Sequence, residues 1–111
     1  MKNEVTIRFS KANLKMLLKN LIQGDAEYSH EDFANWIYRF HIHFIELFDA
    51  GENVDLELEE LVNDIDAQWE LNLANSYSPE ELSKLDFSKV KFPIELLLKW
   101  NKKLEGMKSC L

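Results

Sequence analysis

Three histidines and one cysteine are the residues of this chain best suited to metal binding or nucleophilic catalysis. His41 and His43 are two positions apart, a spacing that turns their side chains about 200° from each other on a helix, so they cannot hold one metal ion together. His43 and Glu46 have the i,i+3 spacing of helical metal ligands, but a carboxylate-bridged metal bundle needs further Glu and His residues from other helices. His30 lies at a predicted helix start. The pattern therefore favours ordinary histidines at the edge of a core over a metal site.

Neither the cysteine nor the glycines indicate a catalytic site. Cys110 is the penultimate residue with no base positioned beside it, so we expect an inert thiol and no internal disulfide. Gly24, Gly51 and Gly106 are isolated, which is typical of helix ends and not of a phosphate-binding loop. A general acid needs a buried carboxyl group with a shifted pKa, whereas the carboxylates here fall mostly at solvent-facing positions. We therefore expect no enzyme activity and no cofactor.

The distribution of charge is the strongest feature of the sequence. No Lys or Arg occurs between Arg39 and Lys84, and those 44 residues contain twelve carboxylates, while the rest of the chain has 13 basic and 8 acidic residues. The net charge of −7 hides this asymmetry. A surface of one sign attracts a basic surface, speeds its approach and repels nucleic acid. We therefore expect a basic protein partner and no binding to nucleic acid.

Size and composition indicate one packed domain. A chain of 111 residues is long enough for one core and too short for two ordinary domains, and 46% hydrophobic residues argue against a disordered acidic tail. Three Gly and two Pro leave little material for loops. No apolar run is long enough for a signal sequence or a spanning helix. We predict a single helical domain over residues 1–111, located in the cytoplasm and not in a membrane.

The first two helices are predicted from their end signals and their apolar spacing. Ser10 is a good N-cap and Gly24 a good terminator for the first helix. Ser29 and Asp32 resemble a capping box for a second helix that runs to about Asp49. That helix has one face made of Phe33, Trp36, Ile37, Phe40, Phe44, Leu47 and Phe48, and another made of Tyr38, Ile42 and Ile45. Because a helix that is apolar on most sides is usually buried on most sides, we place it at the centre of the fold.

Three further helices follow. The third begins near Asn53 or Asp55 and ends near Asn75, and its core stripe consists of Leu58, Leu61, Val62, Ile65, Trp69 and Leu73. A fourth begins at Ser78-Pro79 and extends to about Leu85, and Pro93 can open a last helix through about Glu105. Residues 4–9 alternate polar and apolar types, as in either a short strand or an extended arm. The predicted fold is an all-α, compact bundle of four to five helices around the aromatic-rich helix. Residues 4–9 can add a short extended N-terminal segment to this bundle.

Carboxylates flank the core stripe of the third helix on both sides. Glu57, Glu60 and Asp64 lie on one flank, with Leu71 projecting close to them, and Glu59, Asp66 and Glu70 lie on the other. An acidic helix face is often only a solvated surface. Such faces usually mix both signs, however, and like charges at i,i+3 and i,i+4 cost a few tenths of a kcal/mol each. We therefore interpret this helix as a binding surface, with Glu57, Glu60 and Asp64 as the preferred row.

The overall character of the chain resembles that of bacterial immunity proteins, which neutralise nuclease toxins, including those of contact-dependent inhibition systems. The resemblance lies in small size, acidity, few cysteines and an acidic helix after an aromatic one, and it covers about half of the chain: Ser29-His30-Glu31-Asp32-Phe33-Ala34-Asn35-Trp36, then Asp55 to Glu70. It includes no diagnostic motif, so no residue roles can be transferred. It implies tight one-to-one binding of a toxin domain at its active site or substrate surface.

The sequence thus predicts a non-catalytic immunity or inhibitor protein that binds a basic toxin domain, such as a nuclease. The predicted partner-binding residues are Glu52, Asp55, Glu57, Glu59, Glu60, Asp64, Asp66, Glu70, Leu71 and Tyr77. Leu71 or Tyr77 would serve as an apolar anchor among the acids. Two alternatives stay open: a regulatory or adaptor subunit that uses the same surface on another basic protein, and a small metal-binding helical bundle that uses His43 and Glu46.

Overall fold

The computed structural model describes residues 5–107, and in that range the chain folds into five α-helices and forms no strand. A 3₁₀ turn at Phe87–Lys89 lies between the last two helices. The predicted all-α bundle is therefore confirmed. Cys110, predicted to be an inert thiol, lies outside the described residues. The helices are α1 (Lys11–Gln23), α2 (His30–Asp49), α3 (Leu56–Ser76), α4 (Pro79–Lys84) and α5 (Ile94–Gly106).

Side chains at the helix ends explain the boundaries of α1 and the start of α2. Ser10 Oγ accepts a hydrogen bond from the backbone N–H of Asn13 at 3.1 Å, and Gly24 ends α1 with a left-handed φ of 78°, which glycine adopts without steric cost. The Ser29 hydroxyl accepts from the Asp32 N–H, and the Asp32 carboxylate accepts from the Ser29 N–H, both at 3.0 Å. The predicted capping box is therefore confirmed.

The later helices also begin where the sequence predicts. Asp55 Oδ1 accepts a hydrogen bond from the Leu58 N–H at 3.2 Å and is the N-cap of α3. Ser78 and Glu81 form a second capping box at the start of α4. Pro93 precedes the first residue of α5. These local signals depend on neighbouring residues only, which is why sequence alone locates them well.

The central pair of the bundle is α2 and α3, which pack side by side. The ring of Phe92 indicates their relative direction, because its centroid is 6.1 Å from that of Phe33 near the start of α2 and 5.1 Å from that of Trp69 in the second half of α3. The two helices therefore run antiparallel, as their short connection favours. On the other side of the molecule α1 packs against α5.

One contiguous apolar core joins the helices. All six predicted core residues of α3 are buried: Leu58, Leu61, Val62, Ile65, Trp69 and Leu73. Val90 and Phe92, which no apolar spacing in the sequence predicts to be core residues, are buried although they lie between helices. Phe92 also packs edge-on against the fully buried Trp100 of α5 at 5.2 Å, and its backbone N–H donates to Nδ1 of His30 at 2.9 Å. This short segment therefore ties α2, α3 and α5 together.

The segment before α1 is an arm that docks on α2. Residues 5–9 form neither helix nor strand, which favours the arm over the strand in this part of the predicted stretch 4–9. Trp36 Nε1 donates to the carbonyl oxygen of Ile7 at 3.0 Å, and Arg39 Nη2 donates to that of Val5 at 2.6 Å. The Phe9 ring stacks on Phe40 with centroids 5.2 Å apart. These contacts give one flank of α2 a cover that the helical pattern alone could not reveal.

The prediction that α2 is buried on most sides is wrong. Tyr38 is 55% exposed, Ile45 43% and Phe48 48%, and Phe48 had been assigned to the core face. The arm and α3 cover the two flanks of α2, and its outermost face has no neighbour among residues 5–107. An apolar residue at helical spacing indicates a possible core position, whereas the number of elements available to cover it is a property of the whole fold.

Candidate protein-binding surface

The structure divides the acidic residues of α3 into two rows with different neighbours. The α5-side row consists of Glu57, Glu60 and Asp64, and the α2-side row consists of Glu59, Asp66 and Glu70. Asp64 contacts Trp100 of α5, whereas Asp66 interacts electrostatically with His41 of α2. The two rows therefore belong to two different surfaces of the molecule, as their positions on the helix predict.

The α5-side row is partly occupied by contacts within the protein. Asp64 Oδ2 accepts a hydrogen bond from Nε1 of the buried Trp100 at 2.9 Å. Glu57 and Glu60 line a cleft of about 360 Å³ whose opposite wall includes Lys103 of α5. A basic residue therefore stands beside the row that the sequence analysis preferred, although none is near it in sequence. This neighbour lowers the net charge that the row presents to a partner.

The α2-side row lies along the seam between the central helices. Burial raises the pKa of the Asp66 carboxyl, and the nearby His41 acts in the opposite direction. His41 Nδ1 is itself buried, with no hydrogen-bond partner among residues 5–107. Glu59 is half-buried and Glu70 is exposed. The helix α2 contains no Lys or Arg after Arg39. The second half of α2 therefore places no Lys or Arg beside this acidic row.

Two further acidic residues of the predicted surface lie at the start of α3. Glu52 and Asp55 are exposed in and after the turn that joins α2 to α3. Asp55 caps the helix through the Leu58 N–H, so its carboxylate has a structural contact as well as an exposed position. Glu52 extends the acidic surface towards the end of α2.

The predicted apolar anchors differ in their exposure. Leu71 is 50% exposed, as its position on the wheel predicts. Tyr77 is half-buried and packs against the core, so only part of the ring is available to a partner. The exposed side chains Tyr38, Ile45 and Phe48 of α2 present more apolar surface than Tyr77. Tyr38 and Ile45 belong to the second apolar face of the helix, which the sequence predicts to be buried.

Two of the three histidines, His30 and His43, pack against aromatic rings. His30 Nδ1 accepts the hydrogen bond from Phe92, and burial, followed by the charge of Lys91, lowers the pKa of His30 to about 4. The His43 ring lies 5.3 Å from the Phe9 ring, in a cleft of about 420 Å³ beside the arm and Arg39. Across residues 5–107, no three His, Cys, Asp or Glu side chains stand close enough to share a metal ion.

Comparison of the chain with protein-family models, with curated proteins and with solved structures gives no match. Among the helices of residues 5–107, none has both the length and the apolar character needed to cross a membrane. What the chain binds must therefore be inferred from its own residues.

Proposed function

We propose that this chain is a non-catalytic immunity or inhibitor protein that binds a basic toxin domain, of nuclease type, through the acidic surface of α3. One observation carries the proposal: the carboxylates of α3 are arranged around a buried stripe, and no Lys or Arg occurs from residue 40 to residue 83. The like charges at i,i+3 and i,i+4 destabilise the helix slightly. A binding role accounts for an arrangement that is unfavourable for stability.

The mechanism is blocking by charge complementarity. Enzymes that act on nucleic acid have basic clefts, and a row of carboxylates can occupy such a cleft in place of phosphates. Opposite charge also accelerates encounter, so the inhibitor can reach its target before substrate does. The proposal includes a cytoplasmic location in a bacterium and a one-to-one complex.

The direct test is protection of cells. A basic toxin domain encoded beside this gene would be expressed in a host with and without this chain, and growth would be measured. We expect the chain to restore growth and to form a one-to-one complex with the purified toxin by light scattering. Toxicity that persists although the chain is present in excess would refute the immunity function.

Charge reversal tests whether α3 carries the binding. Changing Glu57, Glu60, Glu59 and Glu70 to Lys should abolish protection, whereas Glu80→Lys with Glu81→Lys on α4 adds basic charge outside α3 and should preserve it. Circular dichroism of each variant confirms the helical fold. Equal protection by both variants would exclude α3 as the binding surface.

The adaptor alternative rests on the same surface and predicts a different result. A regulatory subunit would bind a basic housekeeping protein tightly and would leave the growth of toxin-expressing cells unchanged. The metal-binding alternative has less support, because the ring of His43 packs on Phe9 and no three-ligand cluster occurs in the described part of the chain.

A further inference from the structure

We propose that the partner docks a basic amphipathic helix on the α2–α3 face, which we define as Tyr38, Ile45 and Phe48 of α2 together with Glu59, Asp66 and Glu70 of α3. This inference rests on the proposed function and specifies which of the two acidic rows the partner uses. The partner therefore uses the α2-side row and not the α5-side row that wheel positions alone favour.

The apolar half of this face is a stripe on one helix. Tyr38, Ile45 and Phe48 are separated by seven and three residues, so their side chains project from neighbouring positions on the same side of α2. Each is about half exposed, and the half-buried Ile42 lies between them. Single exposed apolar residues are ordinary, whereas a row of large ones on one helix marks an interaction site.

The acidic half runs alongside this stripe. The helices α2 and α3 pack along each other and are antiparallel, and the charge of His41 acts on Asp66 near the middle of both. Moving seven residues from this pair, about 10 Å at 1.5 Å per residue, reaches Phe48 on α2 and Glu59 on α3. Moving about 5 Å the other way reaches Tyr38 and Glu70. The apolar stripe and the α2-side row therefore have similar lengths and lie side by side.

Charge complementarity identifies the occupant. The α2-side row contributes three carboxylates, and the nearest basic residue of α2, Arg39, lies on the opposite flank, where it donates to Val5. A complementary ligand needs an apolar ridge bordered by Lys or Arg. A face made by two antiparallel helices can take such a ligand as a third helix, with anchors at i, i+3, i+4 and i+7.

Two other arrangements fit less well. A second copy of this chain would bring identical acidic rows together, and each copy has a net charge of −7. The α5-side row offers a partner less, because Asp64 already accepts from Trp100 and Lys103 lines the same cleft as Glu57 and Glu60. The α2–α3 face combines exposed apolar area with acidic charge and has no basic residue from α2 within it.

The test uses a designed peptide as the probe. A fluorescent Lys/Leu peptide of about 18 residues, or roughly five helical turns, carries leucines on one face and lysines on the other. We expect it to bind the full chain, with binding measured by anisotropy at low and high salt. A Lys/Ser peptide of equal charge should bind much more weakly, since it lacks the apolar ridge. If the Lys/Leu peptide does not bind at any concentration up to its solubility limit, the docking site is refuted.

Matched variants locate the site. The triple variant Tyr38→Ser, Ile45→Ser, Phe48→Ser should weaken binding by about tenfold or more, and Glu59→Gln with Glu70→Gln should weaken it several-fold. The apolar control is Met16→Ser, Ile94→Ser, Leu98→Ser, which removes side chains of similar exposure elsewhere. The acidic control is Glu80→Gln with Glu95→Gln, which removes two exposed carboxylates on other helices. Equal losses in the test and control variants would overturn the assignment.

Two readouts separate this inference from the proposed function. If the face variants bind a cognate toxin normally while reversal of α3 charge abolishes binding, the docking site is wrong and the proposed function stands. If the face variants lose the peptide but no toxin is neutralised, the docking site stands and the immunity function fails. Sedimentation of the free chain completes the test, because a dimer disrupted by the triple serine variant would assign the face to a second copy.

Discussion

At the scale of single residues, Asp64 shows why an acidic residue cannot be assigned to a binding surface from its type alone. Its carboxylate accepts from the indole N–H of Trp100, whose side chain is fully buried. A buried donor left without an acceptor costs about 1–3 kcal/mol. The first role of Asp64 is therefore to join α3 to α5.

This role predicts a difference between two substitutions. Asp64→Leu should lower the free energy of unfolding by about 1–3 kcal/mol, because it removes the acceptor, whereas Asp64→Asn keeps an acceptor oxygen and should cost less. Urea denaturation of the two variants and the original chain measures the difference. Equal stabilities for Asn and Leu would show that the hydrogen bond contributes little.

His30 predicts a dependence of stability on pH. Its pKa in the folded protein is about 4, below the ordinary value near 6.5, because burial favours the neutral ring that accepts from Phe92. Between those two values the unfolded chain binds a proton that the folded chain does not. The stability contributed by neutral His30 is therefore complete above pH 6.5 and is lost as the pH falls through 6.5 towards 4.

The size of this effect can be bounded. The full shift corresponds to about 3 kcal/mol, and partial solvent screening should reduce the observed loss to about 1–2 kcal/mol. His30→Asn keeps an acceptor near the position of Nδ1 and cannot titrate, so its stability should change less over the same pH range. Chemical denaturation at pH 7 and pH 4.5 measures both proteins. Parallel pH profiles would assign the acid sensitivity to other groups.

At the scale of elements, the spacing of the carboxylates on α3 measurably lowers the stability of that helix. Glu60 lies three residues after Glu57 and four before Asp64, whereas Glu70 has a single like-charged neighbour at that spacing, Asp66. Each such pair destabilises a helix by about 0.2–0.5 kcal/mol. The charges on the exposed side of α3 thus oppose the folding of the helix that carries them.

The prediction is that removing charge stabilises this helix. Glu60→Gln should raise the free energy of unfolding by about 0.4–1 kcal/mol and Glu70→Gln by about half as much, because they relieve two pairs and one pair. Thermal melting in low salt measures both, and added salt should reduce both gains. A loss of stability in Glu60→Gln would show that its neighbour Lys103 outweighs the repulsion.

The helices and their contacts show which parts of the fold can be predicted from the sequence and which cannot. Helix starts at Ser10, Ser29 and Ser78 depend on residues three positions away, and the apolar stripe of α3 depends on spacing, so both are readable locally. The burial of Phe92 is set by residues from three different helices, and its neighbours Val90 and Pro93 give no periodic signal. The exposure of Phe48 depends on which elements cover that side of α2. Contacts of this kind are fixed only when the whole chain is folded.

The candidate site also has features that the sequence predicts and features that it does not. Wheel positions predict two acidic rows correctly, because the helical period alone separates Glu60 from Glu70. They do not reveal that Trp100 and Lys103 lie against one row, since those residues are distant in sequence. The exposed face of α2 was visible as an apolar set but had no signal that distinguished core from surface.

At the scale of the whole molecule, the charge of the chain is unevenly divided along the sequence, with its acidic residues concentrated in α3 and the end of α2 and its basic residues outside them. A partner with a basic surface would be oriented by this field before contact is made. Interactions between exposed charges are screened beyond about 8–10 Å at physiological salt. Apolar contacts at the α2–α3 face are much less sensitive to salt.

The two kinds of contact should therefore appear in different rate constants. For the complex with the cognate basic partner, raising the salt from low to physiological concentration should slow association on the order of tenfold, while dissociation changes little. The Glu59→Gln, Glu70→Gln variant should associate more slowly with a shallower salt dependence. The Tyr38→Ser, Ile45→Ser, Phe48→Ser variant should associate at a nearly normal rate and dissociate faster. Surface plasmon resonance at several ionic strengths measures the association and dissociation rates of all three proteins, and a complex whose association rate is independent of salt would contradict a role for the acidic surface in encounter.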